Sequence, residues 1–404
     1  MAVGIVGAGL TGLLAAHGLK KNGFEVTVFD SESSLDARGR DWTILLHWAM
    51  PLFEKLLPEE VINNLSEAIC NPYLDFNPKV ECLPCYNGIT GELLFKSPLP
   101  GSRRVSRKRL REVLSQGLDI RWGKKLDTIS FPHDENQSDD SLKDLKVQLA
   151  FADGHTEQVD YVLGTDGASS GVRQLLLGEK AAQPQLSGFM FATGITKYQD
   201  ARKVQSVVNA HPVAAITLGM DTVAGCGVMY VQDKEDMATW TTFWTKIWRE
   251  SMANLPQRED TVEYIKETTK GLCEPFQTLI DSTPADSECY IDEMKYWVPV
   301  PFDNHAGRVT LAGDAAHPML IFRGQGFQHA ITDASNYVDA LLRIKNSARE
   351  TGIERLDTMT GYDTEMIERT SKAVKQSLQE AEFSMNLETV SKMLMAQKGH
   401  GKSA

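Results

Sequence analysis

The sequence predicts an α/β fold, and three stretches spread along its 404 residues predict it. The first is the opening, MAVGIVGAGLTGLLAAHGLKKNGFEVTVFD, where an apolar run, a glycine-rich turn, an apolar-periodic segment and a second apolar run follow one another. The second is VDYVLGTDGASSGVR at 159–173, and the third GRVTLAGDAAHPMLIFRGQGFQHAITDA at 307–334. Each of these is a short apolar strand that ends on a Gly/Asp turn before a helix.

The opening could pass for an export signal, but such a signal carries positive charge ahead of its apolar stretch, and here the lysines come after it. AVGIV suits a buried strand, GAGLTG a tight turn, and Leu13, Leu14, Ala16 and Leu19 a helix ending at Asn22 and Gly23. FEVTVF is a second strand that ends on Asp30. This is the order of a dinucleotide-binding βαβ unit. Gly7 permits the turn, Gly9 lets backbone approach a pyrophosphate, and Gly12 lets the helix pack closely on the sheet. The helix N-terminus, with Leu10 and Thr11 between the glycines, offers unpaired N–H groups and positive dipole to a diphosphate. Asp30, eighteen residues after Gly12, would accept from ribose hydroxyls. Up to this point FAD and NAD fit equally well.

Taken together, the three stretches resemble the fingerprints of the class A FAD-dependent monooxygenases, the aromatic-hydroxylase type. The resemblance is closest to those of fungal secondary metabolism, which carry an Arg-x-x-Trp and His-Trp element like RGRDWTILLHWAMP. It covers most of residues 1–345 and implies a three-layer Rossmann-like FAD-binding domain from 1–75, 104–184 and 303–345. An inserted mixed-β substrate domain from 76–103 and 185–302 and a C-terminal helical segment, 346–404, complete the architecture.

The resemblance also carries residue roles. Asp314 would accept from the ribityl chain, and the turn Gly324, Gln325, Gly326, followed by Phe327, would aim N–H groups at the pyrimidine edge of the flavin. Arg107 matches an arginine on the flavin chain, Arg40 a second cofactor-contacting arginine with Arg38 as its alternative, and Asp166 and Gly167 a motif for the diphosphate and nicotinamide use. Against these stand plain readings: surface ion pairs for Arg107 and Arg40, and a helix cap for Asp166. The chain departs from the family at Leu320 and Ile321, often prolines, at Gln328, often Asn, and at Asp30, often Glu.

The chemistry implied is that NADPH, or NADH, reduces FAD, O₂ adds to give a flavin hydroperoxide, and one oxygen atom enters a small molecule. That molecule is an aromatic, indole or polyketide-type compound, hydroxylated or epoxidised. No base is identifiable. His47, Tyr230 and Pro318 are pocket candidates, and His317 reads as packing its turn. A halogenase or reductase on the same fold is the alternative enzyme, although halogenases of this shape carry a WxWxIP element and a catalytic lysine, and KYWVPVP at 295–301 only partly echoes that element. A non-catalytic redox sensor is the alternative of another class.

Composition narrows the partners. Forty-two basic and fifty-four acidic residues give −12, which argues against nucleic acid. The one dense basic run, GSRRVSRKRLREVL, reads as a helix start with its charges mostly in solvent. Six scattered cysteines with a single CxxC, Cys82 and Cys85, point to a reducing, cytoplasmic setting and to no metal. No window of eighteen apolar residues predicts a membrane span. GFMFATGI, VAAITLGM and AGCGVMYVQ read as strands over a pocket. Trp240, Trp244 and Trp248, at i, i+4, i+8, read as core packing. PHDENQSDDSLKDLK reads as an exposed hairpin connection. The tail from Asp357 to about Gln397 is helical through Met366, Ala373, Leu378 and Phe383, packing on the flavin domain or forming a dimer; the chain is a monomer or homodimer.

Overall fold

AVGIV is apolar at every position but its glycine because both its faces are covered. In the computed structural model, which describes residues 1–37, 39–131, 146–255, 261–347 and 352–401, it forms strand Ala2–Val6 at the centre of a parallel sheet. The strands of that sheet run, in spatial order, Val309–Leu311, Tyr161–Gly164, Ala2–Val6, Glu25–Phe29 and Ile120–Arg121. On one face lie helix Leu10–Lys21 and helix Gly326–Lys345, which share a core with Val3 and Ile5. On the other lies a three-stranded antiparallel sheet of Leu126–Ser130, Val147–Phe151 and Thr156–Val159, whose Leu149 and Phe151 pack with Val6 and Val162. The polar connection read at 132–146 joins the first two of these paired strands; apart from Lys146 it lies outside the described residues.

A second, seven-stranded sheet has the order Glu288–Tyr296, Gln185–Thr196, Thr241–Arg249, Thr222–Tyr230, Ala214–Leu218, Cys82–Asn87, Leu93–Pro98. Its two faces carry separate cores. Phe189, Phe243 and Ile247 pack with Leu320 and Phe322 on the inner face, whereas Trp244, Trp248 and Phe276 form a cluster on the outer face. Trp240 is buried in a third cluster. Trp244 and Trp248 thus lie on strand Thr241–Arg249, in which residues i and i+4 also share a face, while Trp240 just precedes it.

Helix Gly352–Ser384 binds the layers together. Met359 and Tyr362 enter the core under the first helix, Met366 the one under the antiparallel sheet, and Ala381, with Met385 just past the helix end, the inner core of the second sheet. Two short helices, Leu387–Val390 and Leu394–Lys398, follow and add Val390 and Met395 to that inner core.

The basic run corrects its sequence reading. Residues Arg103–Ser106 form a strand paired with Thr43–Leu46, and the helix is Arg107–Ser115, capped by Ser106 Oγ, which accepts from Arg109 N–H at 3.1 Å. Its charges are largely turned inward: Arg111 is 5% exposed, and Arg109 donates to the Glu67, Ile69 and Met229 carbonyls. Guanidinium groups satisfy buried carbonyls well because their donors are fixed in a fork.

Because Met366 is fully buried where the tail helix meets the antiparallel sheet, Met366→Ala is expected to lower stability by about 2–5 kcal/mol. Urea unfolding of the purified protein measures it.

Candidate functional site

Register creates the site. Val6 pairs with Gly164, and Gly164 with Leu311, so the turns that follow all three motif strands stand side by side at one sheet edge. Open α/β sheets bind ligands at this carboxyl end. Gly7 has φ +110, and a Cβ there would stand 2.5 Å from the Thr165 carbonyl; a Cβ on Gly12 would stand 2.2 Å from the Gly7 carbonyl. The side chain of Thr165 donates to the Gly7 carbonyl at 2.8 Å, and Gly313 abuts Thr11. At Gly9, by contrast, only the Thr165 carbonyl lies within 4 Å of the missing Cβ, which leaves the turn open to a ligand.

Arg173, fully buried, clasps two of these turns. Its Nη1 donates to the Ala315 carbonyl at 2.7 Å, its Nη2 to the Ala168 carbonyl, and its Nε to the Ala182 carbonyl at 2.9 Å. Ser170 caps helix Gly171–Leu177, and Asp166 is tied to that cap through Ser170 Oγ and the Val172 N–H. The helix-cap role weighed for Asp166 is therefore present, and Gly167, beside it, has open space around it.

Asp314 keeps accessible surface but is enclosed by protein, the signature of a side chain that lines a cleft. Burial pushes its carboxyl up, and His317, Arg107 and Arg173 pull the other way. Arg107, the flavin-chain candidate, is thus brought electrostatically to Asp314; its guanidinium lies 4.6 Å from the Trp42 ring centroid. His317 is fully buried, bonded to Asp333 Oδ2 at 2.6 Å through Nε2, while its Nδ1 has no hydrogen-bond partner among the described residues. Asp333 also accepts from Gly313 N–H at 2.8 Å and from Arg369 at 2.7 Å, and these partners hold its carboxyl well below the usual range against burial.

The turn at Gly324–Gly326 is joined to the His-Trp element. Trp48 Nε1 donates to Gln325 Oε1 at 2.9 Å, His47 Nε2 meets the Gly324 carbonyl at 3.1 Å, and Gln328 Oε1 accepts from the N–H groups of His47 and Ala49. Gln328 Nε2 donates in turn to the Leu45 carbonyl at 2.6 Å. His47 is therefore a buried brace for the turn. Phe327 is partly buried against the first core. Pro318 is buried and accepts from Trp297 N–H at 3.0 Å. Tyr230 is 44% exposed under the Arg109 guanidinium.

Other candidates lie elsewhere. Arg40 forms a half-exposed pair with Asp292 at 2.8 Å, as its plain reading expected; Arg38 lies outside the described residues. Asp30 is buried against the fingerprint turn, where Oδ2 accepts from Ala8 N–H at 2.6 Å and Oδ1 from Glu32 N–H at 2.8 Å, one bond to each oxygen. Arg111, 3.6 Å from Asp30 and 2.8 Å from Glu32, was not singled out by the sequence reading, and neither was His400. His400 is 3% exposed; its carbonyl accepts from Gln325 Nε2 at 3.0 Å, and its ring bonds Ser97 Oγ through Nδ1. No periodicity in KGHGKSA signals this. In KYWVPVP, Trp297 Nε1 is committed to the Ala181 carbonyl at 3.0 Å and Lys295 is exposed.

These residues fit a bound FAD. Helices Leu10–Lys21 and Gly326–Lys345 both point N-termini without side-chain caps at the cleft, and Gly9 and the His317 Nδ1 leave room and an unmet polar atom beside it. The chain matches the FAD binding domain model over residues 105–377 and the NAD(P)-binding Rossmann-like domain model over residues 5–44. It is 30% identical to the FAD-dependent monooxygenase phnB of Penicillium herquei, over 93% of this chain and 89% of that one. The FAD-dependent monooxygenase cctM of Talaromyces islandicus is 31% identical, with 92% and 90% covered.

The chain belongs to the class A FAD-dependent monooxygenases.

Its fold agrees: Klebsiella pneumoniae HpxO complexed with FAD and uric acid superimposes with TM-score 0.73 at 18% identity, covering 98% of this chain and 92% of that one. Among the described residues of this monooxygenase, no helix is long and apolar enough to cross a membrane.

The Arg173 clasp is expected to set FAD affinity. Arg173→Met removes the donor to the Ala168, Ala182, Asp314 and Ala315 carbonyls, and FAD titration by flavin fluorescence is expected to give about 10-fold weaker binding or worse; unchanged affinity would show that the clasp does not shape the cleft.

Burial holds four histidines neutral, with pKa values lowered from 6.5 to about 4 for His47 and His211 and to about 3 for His329 and His400. The unfolded chain therefore takes up these protons first. Stability is expected to fall as pH drops below 6.5, by up to about 1.4 kcal/mol per pH unit for each histidine, levelling off below the folded values. Denaturant titrations from pH 7 to 4 measure the slope, which His400→Asn should flatten by one proton's share.

Proposed function

We propose that this FAD-dependent monooxygenase takes electrons from NADPH or NADH and inserts one oxygen atom from O₂ into an aromatic, indole or polyketide-type small molecule, by hydroxylation or epoxidation. FAD, when bound, supplies the redox chemistry and the activation of O₂. The observation that carries the reading is that the Gly9 and Asp314 turns stand at one sheet edge, with Arg107 acting electrostatically on Asp314 and the helix that Gly326 opens tied to Gly313 through Asp333, while Phe189, Phe243, Leu320 and Phe322 share the apolar inner core.

The work of the chain is binding, orientation and exclusion of water. The uncapped N-terminus at Gly9 offers N–H groups and positive dipole to a diphosphate. The turn at Gln325 is held rigid from both sides, by Trp48 and by the His400 carbonyl, so its own N–H groups stay aimed. The helix it opens places positive dipole where negative charge would collect. The apolar residues of the inner core would exclude water from the side of a bound flavin that they face. A halogenase reading has less support, since Lys295 is exposed and the buried Lys246 belongs to the outer face, bonded to Thr268.

The test is to reconstitute the protein with FAD and offer a panel of phenols, indoles and aromatic polyketides with NADPH or NADH. Substrate-dependent consumption of the nicotinamide and a product heavier by one oxygen atom are expected. Nicotinamide oxidation without oxygenated product across the panel, or halide-dependent product, would sink the proposal.

A further inference from the structure

The last described residues fold back onto the turn that opens helix Gly326–Lys345. Helix Leu394–Lys398 begins against Glu380, whose carboxylate accepts from the N–H groups of Leu394 and Met395, and it ends at Gly399, with φ +72. Positive φ lets the backbone reverse there without a Cβ penalty, and the reversal carries His400 inward to 3% exposure. The ring bonds Ser97 Oγ through Nδ1 and stands edge-on to the His47 ring, with centroids 6.1 Å apart. Ser97 belongs to Leu93–Pro98, the edge strand of the seven-stranded sheet. One histidine thus joins the second sheet to the His-Trp element beside the turn.

Gln325 is 4% exposed, and both ends of its amide are used. Oε1 accepts from Trp48 Nε1 at 2.9 Å, and Nε2 donates to the His400 carbonyl at 3.0 Å; among the described residues its other acceptor is the Arg323 carbonyl, at 3.5 Å. Loss of the His400 carbonyl would leave a buried donor with only that long contact, and rotating the amide to find another would draw Oε1 off Trp48. Arg323, which enters the turn, is a non-glycine residue at φ +73. Such a conformation costs free energy and persists where the surroundings over-determine it. Its guanidinium donates to Gln376 Oε1 at 3.1 Å, on the long tail helix, and to the Gly401 carbonyl at 3.5 Å, with the charge of Glu380 nearby. The carbonyls of His400 and Gly401 therefore meet Gln325 and Arg323 as a short ladder between the C-terminal segment and the turn.

We propose that His400 is a positioning residue for the cofactor: its ring pins residues 394–401 to the second sheet, its carbonyl sets the Gln325 amide, and docking of this segment is linked to binding of FAD. The linkage goes beyond the oxygen-insertion reading and holds for any substrate, since it concerns the shape of the cofactor cleft alone. Without the ladder, the Gly324–Gly326 turn loses the bonds that aim its N–H groups, and FAD has to order them on binding. With the ladder in place that ordering is already done. FAD and the docked segment favour the same turn geometry, so each stabilises the other by the same factor. Met393 and Met395 keep the segment in the inner core with Phe322, so breaking the ladder frays the last residues and leaves the sheet and long helix folded.

The experiment uses the full chain with and without FAD. Hydrogen exchange followed by mass spectrometry reads the amides of residues 394–401, and flavin fluorescence reads FAD affinity. In the wild-type protein, saturating FAD is expected to slow exchange in this segment about 10-fold, within the range of coupling between two sites. His400→Ala, and a chain ending at Gly399, are expected to bind FAD about 10-fold more weakly, the loss that follows a broken buried hydrogen bond, and His400→Ala to lose the slowing. His400→Asn, whose side-chain oxygen stands near the place of Nδ1 and can keep the bond to Ser97, is expected to restore wild-type affinity. Wild-type exchange at 394–401 that FAD leaves unchanged overturns the linkage, and that measurement needs no variant to fold. So does His400→Ala that binds FAD as tightly as wild type, or His400→Asn that folds, as its unfolding midpoint reports, and binds as weakly as His400→Ala. A segment that merely adds stability would lower the unfolding midpoint of the variants without any protection by FAD, which also counts against the proposal. No turnover enters these readouts, so they are independent of the oxygen-insertion assay.

Discussion

The parallel pairing of Ala2–Val6 with Tyr161–Gly164, and of the latter with Val309–Leu311, is the constraint on which the remaining architecture depends. Parallel neighbours end at the same edge, so turns more than a hundred residues apart in sequence are brought within hydrogen-bond reach. Thr165 can then bond the Gly7 carbonyl, Gly313 can abut Thr11, and Arg173 can hold two turns at once. Small residues are needed at Gly7, Gly12 and Gly313 because backbone meets backbone or side chain there. The open space at Gly9 is what remains for a ligand.

A second constraint is the polar zipper between the Gly324–Gly326 turn and the His-Trp element. Gln328, where relatives in the family often have Asn, uses both ends of its amide to satisfy two N–H groups and one carbonyl of the 45–49 segment. The loop just before the turn departs more: Leu320 is buried in the inner core, while Ile321 is 49% exposed. A buried polar network of this kind rigidifies only when each member is satisfied. The C-terminal segment completes it through the His400 carbonyl, and Glu380 anchors that segment by accepting from the N–H groups of Leu394 and Met395.

Charge is handled differently in different layers. Around the cleft, Asp333 is a hub for His317, Arg369 and the Gly313 N–H, which together offset its burial. The arginines between 103 and 111 serve as carbonyl and carboxylate clamps, a role hidden in the sequence because a basic run on a helix usually faces water. Arg104 alone in that run keeps a buried donor without a partner among the described residues.

How much was legible follows from distance along the chain. The βαβ unit lies within thirty residues, so its strand periods, glycine spacing and helix end could be read locally, and the α/β class, the fingerprint strands and the helical tail follow from the sequence by itself. The tryptophan stripe was legible as core but not as strand, because periods of 3.6 and 2 both return to one face after four residues. Arg111, Arg173 and His400 were not legible as parts of the site: their partners lie 5 to 142 residues away for Arg173, up to 103 for Arg111 and up to 303 for His400. No local pattern encodes such pairings. Periodicity determined which segments become strands and helices; only the tertiary structure decided which buried charges meet a partner, because that depends on elements packed together from distant parts of the chain.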